Sequence, residues 1–202
     1  MFKKLALSAA LAALSAVSNA ATVIDFNDNS DGVYWTHQVV SDGFVATEIN
    51  NEWGSPLGTN VAVDDYGTSN GTVHLDSWTN TGADSVWTLT SQAGLSFNLN
   101  SFDFGSGYPG NSSTVSQLTL TGTRANGSTV SQVFELTDQS FQTLVVNGSF
   151  SNLASVTFDA YGPGNRAAFD NISVSTVPEP ASAALLALGL VGIAAARRQR
   201  RG

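Results

Sequence analysis

The sequence predicts an all-β fold for its central part, residues 21–176, arranged as an antiparallel, jelly-roll-like β-sandwich. Short runs of alternating apolar and polar residues recur there, as strands with one buried face require. Turn sequences rich in Gly, Asn and Pro separate these runs. No dozen residues have the apolar spacing of three and four that indicates a helix. Repeated short strands joined by turns are typical of sandwiches and jelly rolls.

Seven strands are predicted in the later part of this region. They cover residues 86–90, 95–99, 117–121, 130–136, 143–146, 154–160 and 169–174. Both residues of Asn126-Gly127 accept positive φ, so a tight hairpin turn is predicted between two of these strands. Thr119, Thr121 and Thr123 alternate with apolar residues and are predicted to face outward. Ice-binding surfaces use such threonine rows, but a single solvated strand face is the simpler explanation.

The N-terminus has the features of a signal peptide. Lys3 and Lys4 precede the apolar run 5–17, which is too short to cross a bilayer comfortably. Ser18-Asn19-Ala20 places small residues at the two positions that signal peptidase must accommodate. Residues 1–20 are therefore predicted to form a signal helix that is removed after Ala20, leaving Ala21 as the mature N-terminus.

The charge of the central part restricts its ligands. Residues 21–176 contain 15 Asp and Glu but only two basic residues, Arg124 and Arg166, which gives a formal charge of −13. Binding to nucleic acid is excluded, because duplex affinity comes largely from Lys and Arg that neutralise phosphates. Divalent cations and neutral, hydroxyl-rich partners such as glycans stay open. The chain has no Cys, which excludes thiol nucleophiles and thiolate metal sites.

Two tryptophans are candidate glycan contacts. Trp53 and Trp78 lie among Asn, Gly, Ser and Asp residues, where an aromatic ring is expected to be presented at a loop and can stack on a sugar. Glycoside hydrolysis needs two carboxyl groups, and Glu48 and Glu52 near Trp53 are the candidates if the protein is an enzyme. A polar loop with one core-packed tryptophan is the alternative, and no catalytic residue is assigned.

A calcium site is predicted from two aspartates. In the last predicted strand, alternation places Asp170 on the face of Ile172 and Val174, the core side, where a carboxylate needs a metal or a donor network. If the first and last strands pair, Asp25 comes near Asp170 with few basic residues to neutralise either. The sequence therefore predicts structural calcium shared by Asp25 and Asp170, with hydrogen-bonded capping of the strand ends as the alternative.

The composition changes abruptly over residues 177–202. Pro178-Glu179-Pro180 ends the domain and acts as a stiff spacer. Residues 181–196 are apolar and would span about 24 Å as a helix, so a C-terminal transmembrane helix is predicted. The basic tail 197–201 stops transfer and places the C-terminus in the cytoplasm. Its basic residues are Arg197, Arg198, Arg200 and Arg201.

This order of motif, apolar helix and basic tail resembles the PEP-CTERM sorting signal of Gram-negative bacteria. The residues from Asp170 to Val174, just before the prolines, also resemble the usual last strand of such proteins. The resemblance implies that an exosortase-type membrane protease recognises Pro178-Glu179-Pro180 and removes the apolar tail. It also implies delivery to the cell surface or the exopolysaccharide matrix.

Together these features predict an exported surface or matrix protein that is not an enzyme. Its sandwich is predicted to interact with extracellular polysaccharide, because the domain is acidic, rich in Ser, Thr, Asn and Gly, and directed to the matrix. The alternatives are a secreted carbohydrate-active enzyme and a purely structural coat or biofilm protein. Product release from a polysaccharide distinguishes the enzyme from the binding protein.

Overall fold

The structure is a computed structural model. It describes residues 21–29, 33–35, 38–49, 58–60, 70–78, 85–106, 116–136, 140–161 and 166–177. These residues contain the strands β1 (Ala21–Ile24), β2 (Val33–Trp35), β3 (Gln38–Ser41), β4 (Phe44–Glu48), β5 (Gly58–Asn60), β6 (His74–Trp78), β7 (Ser85–Ser91), β8 (Phe97–Ser106), β9 (Gln117–Arg124), β10 (Thr129–Glu135), β11 (Gln142–Val145), β12 (Leu153–Tyr161) and β13 (Arg166–Thr176). The strands pair antiparallel throughout the described part, which confirms the predicted all-β antiparallel fold.

The strands form two layers that share a single residue pair. The first sheet has the order β2-β5-β6-β13-β8-β11, and β1 pairs with the later part of β13. The second sheet has the order β3-β4-β7-β12-β9-β10. Leu153 of β12 and Phe97 of β8 are the pair that joins them. The described strands belong to one compact unit, Ala21–Thr176.

Aromatic side chains fill the space between the two sheets. Phe158 of the second sheet packs edge-to-face against Phe102 and Phe169 of the first, and the ring centroids are 5.2 Å apart in both pairs. Phe44 of the second sheet meets Phe97 of the first at 5.3 Å. All five rings are buried. The core therefore lies between facing sheets, as in a β-sandwich, and each sheet keeps an outer face.

The turn between β3 and β4 was overlooked in the sequence. Asp42 and Gly43 both have positive φ, 49° and 78°, and they join Ser41 to Phe44, which pair across the hairpin. An Asp-Gly pair between two alternating runs is a strong hairpin signal, because few other residues tolerate positive φ at both positions. The hairpin adds two strands to the second sheet.

The predicted hairpin at Asn126-Gly127 is present and joins β9 to β10, but the conformation of its turn differs. Only Gly127 of the Asn126-Gly127 pair has positive φ, 82°. The Gly127 N–H donates to the carbonyl of Arg124 at 2.8 Å, and the Arg124 N–H donates to the carbonyl of Ser128 at 2.8 Å. The loop thus has three residues, with glycine in the left-handed position, and the expectation of positive φ at Asn126 is wrong.

A β-bulge interrupts β13 at Asp170 and Asn171. The register with β8 shifts between Asp170 and Ser173, and Asn171 has a positive φ of 47°. The extra residue reverses the alternation, so that Phe169 and Ile172 both pack in the hydrophobic core. The prediction that Asp170 lies on the same face of the strand as Ile172 is therefore wrong. Asp170 is nevertheless fully buried.

The two ends of the chain lie outside the described residues. These ends include the predicted signal peptide, the motif Pro178-Glu179-Pro180, the apolar segment 181–196 and the basic tail. All four stay predictions from sequence. Within the described ranges, no helix is long and apolar enough to cross a membrane.

Candidate functional site

Polar side chains line up across the full width of the second sheet. Strand pairing places one residue of each strand directly opposite the next. In the order β10, β9, β12, β7, β4, β3, this hydroxyl row consists of Ser131, Thr121, Thr157, Thr88, Thr47 and Gln38. Since neighbouring strands lie about 4.8 Å apart, the row is about 24 Å long.

The hydroxyl row lies on the outer face. In β9, Thr121 lies between the buried residues Leu120 and Gly122, and in β7 Thr88 lies between the buried residues Trp87 and Leu89. The same alternation holds in the other strands of the sheet, because successive side chains of a strand point to opposite faces. Five hydroxyl groups and one amide are therefore presented together on the surface opposite the core.

The members of the row keep hydrogen-bonding capacity for a ligand. The Oγ1 atoms of Thr88 and Thr157 are 3.2 Å apart, and Gln38 Nε2 donates to Thr47 Oγ1 at 3.3 Å. Ser131 Oγ donates to the carbonyl of Leu120 at 2.9 Å. A hydroxyl group can donate one hydrogen bond and accept two, so these contacts leave acceptor positions open. The threonine methyl groups add small apolar patches between the hydroxyls.

Further outward residues surround the row on the same face. A second row, one step along the strands, continues the polar surface across four strands through Thr129, Thr123, Ser155 and Thr90. On the other side, Asp159 lies opposite Thr119, and Tyr161 at the end of β12 is 59% exposed. The exposed tyrosine ring is a surface on which an apolar sugar face can stack.

The charge on this outer face is acidic. The outward positions of the six strands include Asp159 and Glu135 and contain no Lys or Arg. Arg124, at the end of β9, donates instead to the carbonyl of Ser149 at 2.7 Å. A polyanion would meet repulsion here, whereas an uncharged polar ligand would not.

A second polar site lies in the first sheet around Asp170. Its Oδ2 accepts hydrogen bonds from Asn70 Nδ2 at 2.6 Å and Thr72 Oγ1 at 2.7 Å. Its Oδ1 accepts a bond from the backbone N–H of Asn171 at 2.7 Å. Burial raises the pKa of Asp170, and the three hydrogen bonds lower it only in part. The proton bound by Asp170 therefore adds stability that is fully present below the unfolded pKa of 3.8 and is lost as pH rises through the higher folded pKa, while the hydrogen bonds to the carboxylate oxygens are separate from this contribution.

The same network extends to a second carboxylate in β8. Asp103 lies opposite Asp170 in the pairing of β8 with β13. Asn171 Nδ2 donates to Asp103 Oδ2 at 2.9 Å, and Thr143 Oγ1 donates to Asp103 Oδ1 at 2.6 Å. Asn171 thus lies between the two acids and offsets part of their repulsion.

Asp25 has other hydrogen-bond partners than Asp170. The first and last strands pair as expected, with Ile24 opposite Ile172. Asp25 Oδ1 accepts a bond from the Asn27 N–H at 3.1 Å, and the Asp25 N–H donates to Asp42 at 3.3 Å. Among the described residues, no three His, Cys, Asp or Glu side chains form a group suited to a metal ion. Calcium at Asp25 and Asp170 stays a prediction.

The other candidate residues are placed only in part. Trp78 is the last residue of β6, opposite Arg166, and not a loop residue. Trp53 and Glu52 lie outside the described residues. Glu48 ends β4, is only 7% exposed and lies opposite Trp87. Glycan contact by the two tryptophans stays a prediction.

Sequence reasoning found only part of the hydroxyl row. It predicted that Thr121 faces outward, and Thr88 and Thr157 lie within predicted strands. Thr47 and Gln38 were missed because the hairpin signal of Asp42-Gly43 was not used. The alignment of all six residues depends on strand order and register, which alternation within single strands does not determine.

Comparison with known proteins identifies a motif in the C-terminal segment. The family model of the PEP-CTERM protein-sorting motif matches residues 176–201. The chain carries a PEP-CTERM sorting motif. This confirms the predicted resemblance. A PEP-CTERM motif implies export and sorting to the cell surface.

A search of curated proteins found no match to this chain. Among solved structures, it is similar to mutants of CBM29-2, a family 29 carbohydrate binding module, in complex with mannohexaose or cellulohexaose. The mannohexaose complex has 16% identity and a TM-score of 0.47, over 79% of this chain and 93% of that chain. The cellulohexaose complex has 15% identity and a TM-score of 0.46, over 79% and 93% of the two chains.

Proposed function

We propose that this PEP-CTERM protein is a non-enzymatic surface or matrix protein whose sandwich binds extracellular polysaccharide. The hydroxyl row is the observation that carries the proposal. Ser and Thr hydroxyls and an amide at regular spacing can exchange hydrogen bonds with the hydroxyls of a glycan, while threonine methyl groups contact its apolar faces. The sorting motif supports this function, because surface delivery brings the outer face into contact with polysaccharide.

The proposed route to the surface involves two proteases. Signal peptidase removes residues 1–20 between Ala20 and Ala21 during export. The apolar segment 181–196 then holds the protein in the inner membrane, with the basic tail in the cytoplasm. An exosortase-type protease recognises Pro178-Glu179-Pro180 and releases the domain to the surface or matrix. The PEP-CTERM motif supports this sequence of steps.

A panel of soluble polysaccharides tests the proposed binding. We expect the purified protein to migrate more slowly in native gels that contain its polysaccharide, with no release of reducing ends. Release of reducing sugar would instead favour the enzyme alternative, for which Glu48→Gln and Glu52→Gln are the first variants to measure. Unchanged migration across neutral and acidic polysaccharides would contradict the proposed function and leave a purely structural coat protein.

We also propose that calcium stabilises the domain through Asp25 and Asp170. The acidic balance of residues 21–176 and the oxygen-rich side chains around Asp170 support this, since calcium prefers carboxylate, carbonyl and hydroxyl oxygens. An ion that binds only the folded state raises the melting temperature by mass action. We expect a higher melting temperature in millimolar calcium than in chelator, and Asp170→Ala should lose most of that difference. Equal melting temperatures in wild-type protein would remove calcium from the account.

A further inference from the structure

The shape of the hydroxyl row restricts the kind of ligand that can use all of it. Neighbouring strands of a sheet are rotated by about 20° relative to each other, so the direction of the surface turns by about 100° across the six strands. A flat crystalline surface, such as ice or a crystalline polysaccharide, would touch only a few strands at a time. A single polymer chain can follow the turn by rotating about its own linkages.

The chemistry of the row restricts the ligand further. Its six members carry no charge, and the outward positions of these six strands include Asp159 and Glu135 but no Lys or Arg. An anionic polysaccharide would bring further negative charge to a domain whose formal charge is −13. The side-chain hydroxyls of the row repeat at about 4.8 Å, and they can exchange hydrogen bonds with the hydroxyl groups of an uncharged ligand.

We propose that the ligand is a single, uncharged glycan chain that lies across the strands, along the hydroxyl row. This inference rests on the proposed function and adds the class and direction of the ligand. The chain contacts Thr157 and Thr88 at the centre of the row and Thr121 beside them, and its ends reach β10 and β3. Contacts accumulate with each sugar until the chain spans about 24 Å, the length of the row.

The test uses oligosaccharides cut from the polysaccharide that the panel selects. Calorimetry should give affinities that rise from the disaccharide upward and level off once the chain is as long as the row. Thr121→Val with Thr157→Val removes two hydroxyls and keeps the branched side-chain shape that strands favour. We expect this double variant to lose at least tenfold in affinity with an unchanged melting temperature. Ser101→Ala with Ser173→Ala, on the outer face of the first sheet, also removes two hydroxyls; it is the matched control and should bind within twofold of wild type.

The outcomes separate this inference from the proposed function. If no polysaccharide of any charge binds, the proposed function itself fails. Binding only to anionic polysaccharides, or binding a disaccharide as tightly as longer chains, would overturn the single neutral chain and leave polysaccharide binding in place. Adsorption only to crystalline polysaccharide or ice would also overturn the single neutral chain. An equal loss of affinity in the control variant of Ser101 and Ser173 and in the variant of Thr121 and Thr157 would also overturn it. If the double variant melts early, Thr121→Ser and Thr157→Ser, which keep the hydroxyls, should restore binding.

Discussion

Replacing Asp170 by alanine is expected to lower the melting temperature of the domain in chelator by about 5–10 °C. The carboxylate is fully buried and accepts hydrogen bonds from Asn70, Thr72 and the Asn171 N–H. Alanine leaves these donors without their acceptor, and a buried donor without a partner costs about 1–3 kcal/mol. The loss also frees the turn at Asn70, which Asp170 holds against β13. Thermal melting followed by circular dichroism measures the change.

Two comparisons test whether the lower melting temperature is specific to Asp170. Asp28→Ala removes an exposed carboxylate and should change stability by no more than about 0.5 kcal/mol. The gap between wild type and Asp170→Ala should also widen as pH falls through the raised pKa of Asp170, because burial favours its protonated form. Equal melting of Asp170→Ala and wild type would mean that the hydrogen-bond network does not stabilise the fold.

Replacing Pro178-Glu179-Pro180 by three alanines is expected to abolish release of the protein from the membrane. The motif lies at the start of the matched PEP-CTERM segment, residues 176–201, where the proposed protease would recognise the chain ahead of the apolar segment 181–196. The variant should accumulate as a membrane-bound precursor that keeps its tail. Intact-mass analysis of the surface and membrane fractions measures the effect, which we expect to be nearly complete.

Ser182→Ala, just after the motif, is the matched control and should be processed as wild type. Wild-type surface protein should begin at Ala21 and lack the apolar segment. Mature surface protein that extends through Gly202 would contradict the sorting route, whatever the variant does.

Local sequence pattern predicted the later strands better than the earlier ones. The strands from β7 to β12 alternate regularly over at least four residues, so one buried face is evident in each. Strands β2 and β5 have three residues each, which is too short for a periodic signal. The hairpin of β3 and β4 had a readable signal in Asp42-Gly43, and a closer search for such pairs would have found it.

The two polar sites depended on features that no single strand reveals. The bulge at Asp170 and Asn171 reverses the alternation, and only the pairing with β8 exposes the extra residue. Asn70 and Asp170 are 100 residues apart in the chain, so their contact follows from topology alone. The hydroxyl row needs six strands in register, whereas the sequence indicated only the outward threonines of β9.

Mapping the bound glycan on the protein by NMR shows which face of the sandwich holds it. Amide and threonine methyl resonances would be followed while the selected neutral polysaccharide fragment is added. We expect the largest shifts at Thr121, Thr157 and Thr88 on the second sheet, while Ser101 and Ser173 on the outer face of the first sheet stay unchanged. Shifts confined to the first sheet, or none in the second, would contradict binding at the hydroxyl row.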